Sequence, residues 1–455
     1  MAEREFDFVV IGAGSTGEVC AGRAADGGLE TAIVEPHLVG GECSYYACMP
    51  SKALLRPAEV LAELKRVRGA AEAVTGDVDP EATLARRTEA TSNWDDSGQL
   101  PWLEDKGIEL FRGEAVIDGE RRVKVGDDVL VARKAVALAT GSEAAIPPIE
   151  GLDSVEYWTN REATSAKSVP DSLIVLGGGA VGSEMAQAFS SLGAEVVLVE
   201  GAERLLGKNE PFASEQVADG LREHGVDVRL DSKANAVRSD GAEIVVELEG
   251  GDSVSGSELL VAVGRKPRLD GLGLENVDVE TDGYLEVDDQ MRVPGSDWLY
   301  AIGDVNGRAL LTHMGKYQGR ICADHLIGRD VEAIADRYGV PQVVFTDPQV
   351  AAVGKTLEEA REAGIDARAV DVDSTKTAGA SFVGRNMPGT SRIVVDEERR
   401  VIVGATFVGP ETSDWLHAAT VAVVGEVPLE RLWHAVPSYP TRSEVWLKLM
   451  EEYGL

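Results

Sequence analysis

One glycine-and-acid device occurs twice in this chain. The strand-like stretch Phe6–Ile11 leads into Gly12-Ala13-Gly14-Ser15-Thr16-Gly17, then an alanine-rich helical stretch, then a second strand-like stretch, Thr31–Glu35. Leu173–Leu176 leads likewise into Gly177-Gly178-Gly179-Ala180-Val181-Gly182, a helical stretch, and Gly193–Glu200. Twenty-three positions separate Gly12 from Glu35, and the same number separates Gly177 from Glu200. Strand, glycine turn, helix and strand make a β-α-β unit, and two such units commit the chain to an α/β architecture. The glycines let backbone approach a pyrophosphate at a helix N-terminus, where N–H donors and the helix dipole favour an anion. The acid about 20 residues on accepts from a ribose hydroxyl. Two dinucleotide sites are therefore expected, with Gly12, Gly14, Gly17 and Glu35 at one and Gly177, Gly179, Gly182 and Glu200 at the other. A carboxylate at Glu200 pairs with a free 2′-hydroxyl and repels a 2′-phosphate, which favours NAD(H). Arg204 and Lys208 stand close enough in sequence to leave NADP(H) open.

The 455 residues allow two to four domains at roughly 100–200 residues each. Residues 1–150 read as one α/β domain and 151–270 as a second. Residues 271–335, with the strand-like Leu299–Gly303 ending in Asp304, read as a return to the first. From 336 to 455 alternating strands such as 391–396 and 401–407 precede helices, an α+β pattern. Residues 76–100 are polar and acidic and read as a mobile stretch. Lys and Arg number 44 against 78 Asp and Glu, a formal charge of −34, which repels nucleic acid and anionic membranes. A solubility role or a salty cytoplasm explains that acidity equally well. The first residues lack a basic and then apolar leader, and no run approaches the ~18 apolar residues of a membrane span. A cytoplasmic location is expected, and no metal site.

Four cysteines in a chain this long are no secreted disulfide framework. Cys43 and Cys48 stand in Gly40-Gly41-Glu42-Cys43-Ser44-Tyr45-Tyr46-Ala47-Cys48-Met49-Pro50-Ser51-Lys52. Five positions on a regular helix are about 7.5 Å of rise with diverging side chains. A disulfide wants Cα atoms roughly 4.4–6.8 Å apart. If the pair bonds, the segment is non-helical or distorted at its start. A thiol near a helix N-terminus with Lys52 one turn on should be acidified. Cys20 and Cys322 lie in helical patterns without partners and read as packing residues.

These features resemble, from end to end, the class I pyridine nucleotide–disulfide oxidoreductases, among them dihydrolipoamide dehydrogenase, glutathione reductase and mercuric reductase. The marks are the two fingerprints, Cys43-x4-Cys48 with Pro50-Ser51-Lys52, Ala139-Thr140-Gly141-Ser142 and Gly182-x-Glu184. They continue through Val263-Gly264-Arg265-x-Pro267, Ile302-Gly303-Asp304, Phe345-Thr346-x-Pro348 and Pro440-Thr441-x-x-Glu444. The resemblance implies two Rossmann-like domains and a C-terminal α+β dimerisation domain in a homodimer. It places FAD on residues 1–150 and 271–335, with Gly41, Thr140, Gly141, Gly303 and Asp304 among its contacts, and the nicotinamide cofactor on 151–270, with Gly264 and Arg265 in the shared motif. Lys52 and Glu184 match the family's ion pair beside the flavin. Cys48 matches the thiol against the flavin, and Cys43 the thiol that attacks substrate. Electrons would pass from NADH to FAD, to the Cys43–Cys48 disulfide, and on to a small disulfide; in dihydrolipoamide dehydrogenase the net flow is reversed.

Three positions depart from that pattern. Tyr439 stands where the family's disulfide reductases carry histidine before Pro-Thr-x-x-Glu, and a phenol of pKa about 10 is a poor base. Glu444 remains to orient it, and His434 reads as part of a preceding helical segment. Glu42 precedes Cys43 where threonine is usual, and a carboxylate there disfavours a thiolate. Tyr45 and Tyr46 fill the loop between the cysteines. Mercuric reductases also lack the histidine but carry a C-terminal cysteine pair; this chain ends Glu-Glu-Tyr-Gly-Leu. The leading expectation is a small disulfide or dithiol as substrate. The alternative is a quinone, metal ion or other acceptor reduced directly by the flavin.

Overall fold

The computed structural model describes residues 2–280, 282–384 and 387–455. The chain divides into two compact units, Met1–Pro50 with Thr88–Ala145 and Arg265–Arg337, and Ser51–Arg87 with Ile146–Gly264 and Tyr338–Leu455.

The first unit is built on a seven-stranded sheet. Strand Ala2–Ile11 lies between Thr31–Glu35 and Asp128–Leu138, parallel to both, with Glu109–Arg112 beyond and Leu299–Ala301 parallel to Asp128–Leu138. An antiparallel pair, Ala115–Gly119 and Arg122–Val125, completes it. The central strand ends in the unbroken apolar run Phe8–Ile11 because both faces of that part are covered, whereas its start carries the exposed Glu3, Arg4 and Glu5. Phe8 and Val10 enter one core, shared with Cys20 and Ala21 of helix Ser15–Asp26 and Ile321 and Cys322 of helix Thr312–Leu326. Val9 and Ile11 enter the other, with Val136, Leu138 and Leu299. Each fully buried side chain of this size contributes roughly 2 kcal/mol, and the alternation fixes the strand's register.

The second unit repeats the scheme on a smaller scale. Parallel strands Asp227–Arg229, Glu195–Val199, Ser172–Leu176 and Glu258–Val261 lie in that order. Helix Ala180–Ser191 buries Met185, Ala186 and Phe189 against them, and a three-stranded meander over Ala234–Gly256 adds a further layer. A five-stranded antiparallel sheet follows, ordered Gln342–Val344, Gln349–Gly354, Val401–Gly409, Thr390–Asp396, Ala367–Asp373, with helices Thr412–Val424 and Val445–Tyr453 packed on it. The fold is thus α/β with two nucleotide-type sheets and a C-terminal α+β part.

The stretch read as mobile at 76–100 is instead structured. Helix Pro80–Ala90 carries Arg87, which is buried and donates to the carbonyls of Thr164 and Ala166. A buried guanidinium bonded to two carbonyls anchors a polar helix that periodicity does not reveal.

Candidate active site

The two glycine loops are the same object in atomic detail. Gly12 has φ +105°, and a Cβ there would lie 2.4 Å from the carbonyl oxygen of Ala139; Gly177 has φ +104°, and its Cβ would lie 2.5 Å from that of Ala262. A Cβ on Gly17 or Gly182 would come within 1.9 Å of the carbonyl oxygen of Gly12 or Gly177. No larger residue fits at these positions. Gly14 and Gly179 cap helices Ser15–Asp26 and Ala180–Ser191 with extended backbone and no side-chain cap, so the first-turn N–H groups are left for an anion. A Cβ on Gly179 would meet nothing within 4 Å, and on Gly14 only Gly41 at 4.0 Å, so the outer side of each loop is open to a ligand. The acids brace these loops. Glu35 accepts from the N–H of Ala13 and of His37, both at 2.8 Å, and Glu200 from Gly178 at 2.6 Å and Ala202 at 2.8 Å. Each oxygen keeps a lone pair for a ribose hydroxyl. Both cradles fit the pyrophosphate of a dinucleotide.

Around the first loop, the cysteine segment breaks as its spacing requires. Short helix Gly41–Tyr45 ends at Tyr46 (φ −136°, ψ 1°), and helix Cys48–Arg66 starts afresh. Gly41 (φ +61°) presses on the loop; a Cβ there would reach the Gly14 Cα at 2.7 Å. Cys43 and Cys48 are free thiols in hydrogen-bond contact with each other. Thr312 Oγ1 lies 3.3 Å from Cys48 Sγ and also bonds Cys43, as does Ser15. The hydrogen bond from Cys48 draws the Cys43 thiol down to about 6 against the opposing effect of burial, with Thr312, Ser15 and the Lys316 ammonium assisting. The cation that acts on the acidified Cys43 thiol is Lys316. One expectation is corrected here. Glu42 does not keep Cys43 protonated, because its carboxylate is held by Arg268 at 3.1 Å.

Asp304 sits in the turn Gly303–Asn306 after strand Leu299–Ala301 and accepts from the Ser142 hydroxyl. Arg265 Nε donates to that hydroxyl at 2.6 Å and lies 3.9 Å from the Asp304 carboxylate. Thr140 Oγ1 donates to the Arg268 carbonyl at 2.7 Å, and Gly141 (φ +74°) accepts from the Arg268 N–H at 3.0 Å. The first unit thus gathers Gly12, Gly14, Gly17, Glu35, Gly41, Cys43, Cys48, Thr140, Gly141, Arg265, Gly303 and Asp304.

The second unit holds Gly177, Gly179, Gly182, Glu200, Gly264 and the expected ion pair. Lys52 Nζ is 2.7 Å from Glu184 Oε2, whose side chain is 6% exposed, and Glu184 Oε1 accepts from the Phe345 N–H at 3.0 Å. The Lys52 ammonium also lies 4.7 Å from the centre of the Phe345 ring. Tyr439 is 78% exposed. Glu444 does not orient it; its carboxylate accepts from the Gly379 N–H at 2.8 Å. His434 is exposed, in the turn after helix Leu429–Leu432.

Sequence reasoning missed Ser15, Thr312 and Lys316, which act on the Cys43 thiol, and Glu18, which the charge of that thiol acts on. The i, i+3 and i, i+4 spacing of these pairs is visible in the sequence, but which helix faces meet is not. Cys20 and Cys322 are packing residues in helices, as expected, but not without partners: both are fully buried and their thiols hydrogen-bond each other across helices Ser15–Asp26 and Thr312–Leu326, and burial pushes the Cys322 thiol well up. Among the described residues no group of three or more His, Cys, Asp or Glu side chains is arranged to hold a metal ion, and no helix is long and apolar enough to cross a membrane.

Residues 6–319 match the pyridine nucleotide-disulphide oxidoreductase family, and residues 340–450 match its dimerisation domain. The chain is 32% identical to a dihydrolipoyl dehydrogenase of Haloferax volcanii over 98% of its own length and 95% of the relative's. It is 31% identical to a mercuric reductase of Staphylococcus aureus over 97% of its own length and 81% of that protein's. The crystal structure of LpdA from Mycobacterium tuberculosis superimposes with a TM-score of 0.87 at 26% identity, over 99% of this chain and 100% of that one. With both nucleotide cradles and the dithiol in place, the chain belongs to the pyridine nucleotide-disulphide oxidoreductases, enzymes that use FAD and a nicotinamide cofactor.

Proposed function

We propose that this enzyme transfers electrons between NAD(H) and a small disulfide or dithiol by way of Cys43 and Cys48. The observation that carries the reading is the contact between the two thiols, with Cys43 held near 6 and so ionised at neutral pH. Bound FAD supplies the two-electron exchange between nicotinamide and thiols. In the direction of disulfide reduction, Cys43 attacks one sulfur of the substrate, its S–S bond opens, and one thiolate leaves and takes up a proton. Cys48 then attacks Cys43 in the mixed disulfide, closes the Cys43–Cys48 bond and expels the second thiol. The substrate gains two electrons and two protons, and the enzyme dithiol loses both. The relative in Haloferax volcanii acts on a dihydrolipoyl group, which supports a lipoyl-type substrate.

FAD is assigned to residues 1–150 and 271–335, with Asp304 on its ribityl chain, and the nicotinamide cofactor to 151–270. NADH is preferred, because Glu200 presents a carboxylate at the ribose position while Arg204 donates to the carbonyls of Gly207 and Asn209 instead of facing a phosphate. Residues 336–455 form a homodimer interface, which accounts for the exposure of Phe382, Val421, Val436 and Tyr439 on a single copy.

The test is anaerobic NADH oxidation with lipoamide and a soluble quinone side by side. Lipoamide turnover that Cys43→Ser abolishes, with FAD still bound, is expected. Rapid quinone turnover unaffected by Cys48→Ser, with negligible lipoamide turnover, would mean that Tyr439 marks direct reduction of an acceptor by the flavin.

A further inference from the structure

Cys43 and Cys48 meet across a break between two helices, Gly41–Tyr45 and Cys48–Arg66. In one unbroken helix the Tyr45 carbonyl would accept from the N–H of Met49, four residues on. Here it accepts from the indole Nε1–H of Trp94 at 3.1 Å. An unusual piece of backbone delivers that indole. Ser92, Asn93 and Trp94 have φ of +48°, +54° and +54°, three left-handed residues in succession, each carrying a Cβ. Single asparagines visit this region, but a run of such residues persists only where its surroundings hold it. The turn is closed by the Trp94 N–H on the Thr91 carbonyl at 2.8 Å and the Asp95 N–H on the Ser92 carbonyl at 3.1 Å.

The same loop grips the front of the cysteine segment. Asp96 Oδ2 accepts from the Val39 N–H at 2.8 Å, and Arg112 donates to both the Asp96 carboxylate and the His37 carbonyl. Between these holds lie Gly40 (φ +111°) and Gly41 (φ +61°), which give the short helix no stiffness of its own at its start. The stretch read from sequence as mobile thus contributes a hold at each end of helix Gly41–Tyr45, Asp96 before it and Trp94 after it. On the far side of the break, Thr312 Oγ1 lies 3.3 Å from Cys48 Sγ.

We propose that Trp94 and Asp96 are positioning residues for the redox pair: the left-handed turn Ser92–Trp94 sets the indole on the Tyr45 carbonyl, Asp96 holds Val39, and together they fix the break that brings Cys43 to Cys48. This deepens the thiol-exchange reading above and rests on it for its use in turnover. Two thiols held at contact have a high effective concentration for each other, which favours closing the S–S bond. Releasing either hold lets the short helix swing on its glycines and shifts that equilibrium toward the open dithiol.

The test equilibrates the FAD-loaded enzyme anaerobically with reduced and oxidised dithiothreitol, traps the thiols with iodoacetamide and reads the dithiol fraction of Cys43 and Cys48 by mass spectrometry. The exchange converts enzyme disulfide and dithiothreitol into enzyme dithiol and the cyclic disulfide, two electrons and two protons moving together. Trp94→Phe keeps an aromatic ring and removes the N–H. It is expected to shift the exchange constant by about tenfold or more toward the dithiol. Asp96→Ala, which releases Val39, should shift it the same way by less. An indole that served packing alone would lower the melting temperature and leave the constant where it is. A constant unchanged in Trp94→Phe, or shifted toward the disulfide, overturns the proposal. Where that chain does not retain FAD, an unchanged constant in Asp96→Ala overturns it instead. The expected shifts in an enzyme that turns over no disulfide would uphold the positioning role and reject the thiol-exchange reading.

Discussion

The two glycine loops share their backbone and differ in the carboxylate that follows. After Gly182 comes Glu184, two residues on, clasped by Lys52 at 2.7 Å and by the Phe345 N–H. After Gly17 comes Glu18, one residue on, whose carboxyl rises to about 7 among Cys43, Tyr45, Glu35 and Lys316. The first carboxylate is neutralised in place, and the second is left to titrate. The loop backbone thus has the form that fits a dinucleotide in both copies, while the start of the following helix is free to carry different chemistry.

The comparison breaks most visibly at the glycines. Gly12→Ala is expected to yield protein without FAD, seen as loss of the flavin spectrum after gel filtration. Gly177→Ala should retain FAD and lose its reduction by NADH. If either substitution produced the other's phenotype, the assignment of the two loops would be reversed. Next in size is Lys52→Met, which strands a buried carboxylate. Lys52 is itself about a third exposed, so water offsets part of the loss, and about 2 kcal/mol is expected by urea denaturation.

Glu18→Gln acts with the opposite sign. A carboxyl raised from 4.5 to about 7 on folding costs stability increasingly as pH climbs between those values. The Gln chain should match the unaltered one near pH 4.5 and exceed it by about 1–3 kcal/mol at pH 8. A thermal melt series across that range checks the sign. Smallest is a matter of reactivity: in the reduced native enzyme Cys43 should alkylate fast at pH 7, whereas Cys20 and Cys322 should stay unmodified until denaturant is added. Equal labelling of all four would contradict the buried pairing of Cys20 with Cys322.

Much of the site is written in local order. The fingerprints, the acids 23 positions on and the break between Cys43 and Cys48 follow from spacing and backbone sterics, while the Lys52–Glu184 pair, 132 positions apart, was implied by the family resemblance. The anchored helix at Pro80–Ala90 did not show, because its tie is one buried arginine bonded to carbonyls more than seventy residues away. Nor did the fate of Glu42 and Glu444, whose partners Arg268 and the Gly379 N–H lie 226 and 65 positions distant.

The sequence by itself determined the α/β repeat, the two glycine cradles and the break in the cysteine segment, because glycine sterics and strand and helix periods act over a few residues. Tertiary structure alone decided which thiol is acidified and which cation serves it. Those outcomes depend on helix Ser15–Asp26 meeting helix Thr312–Leu326 some three hundred residues later, and electrostatics answers to distance in space, not along the chain.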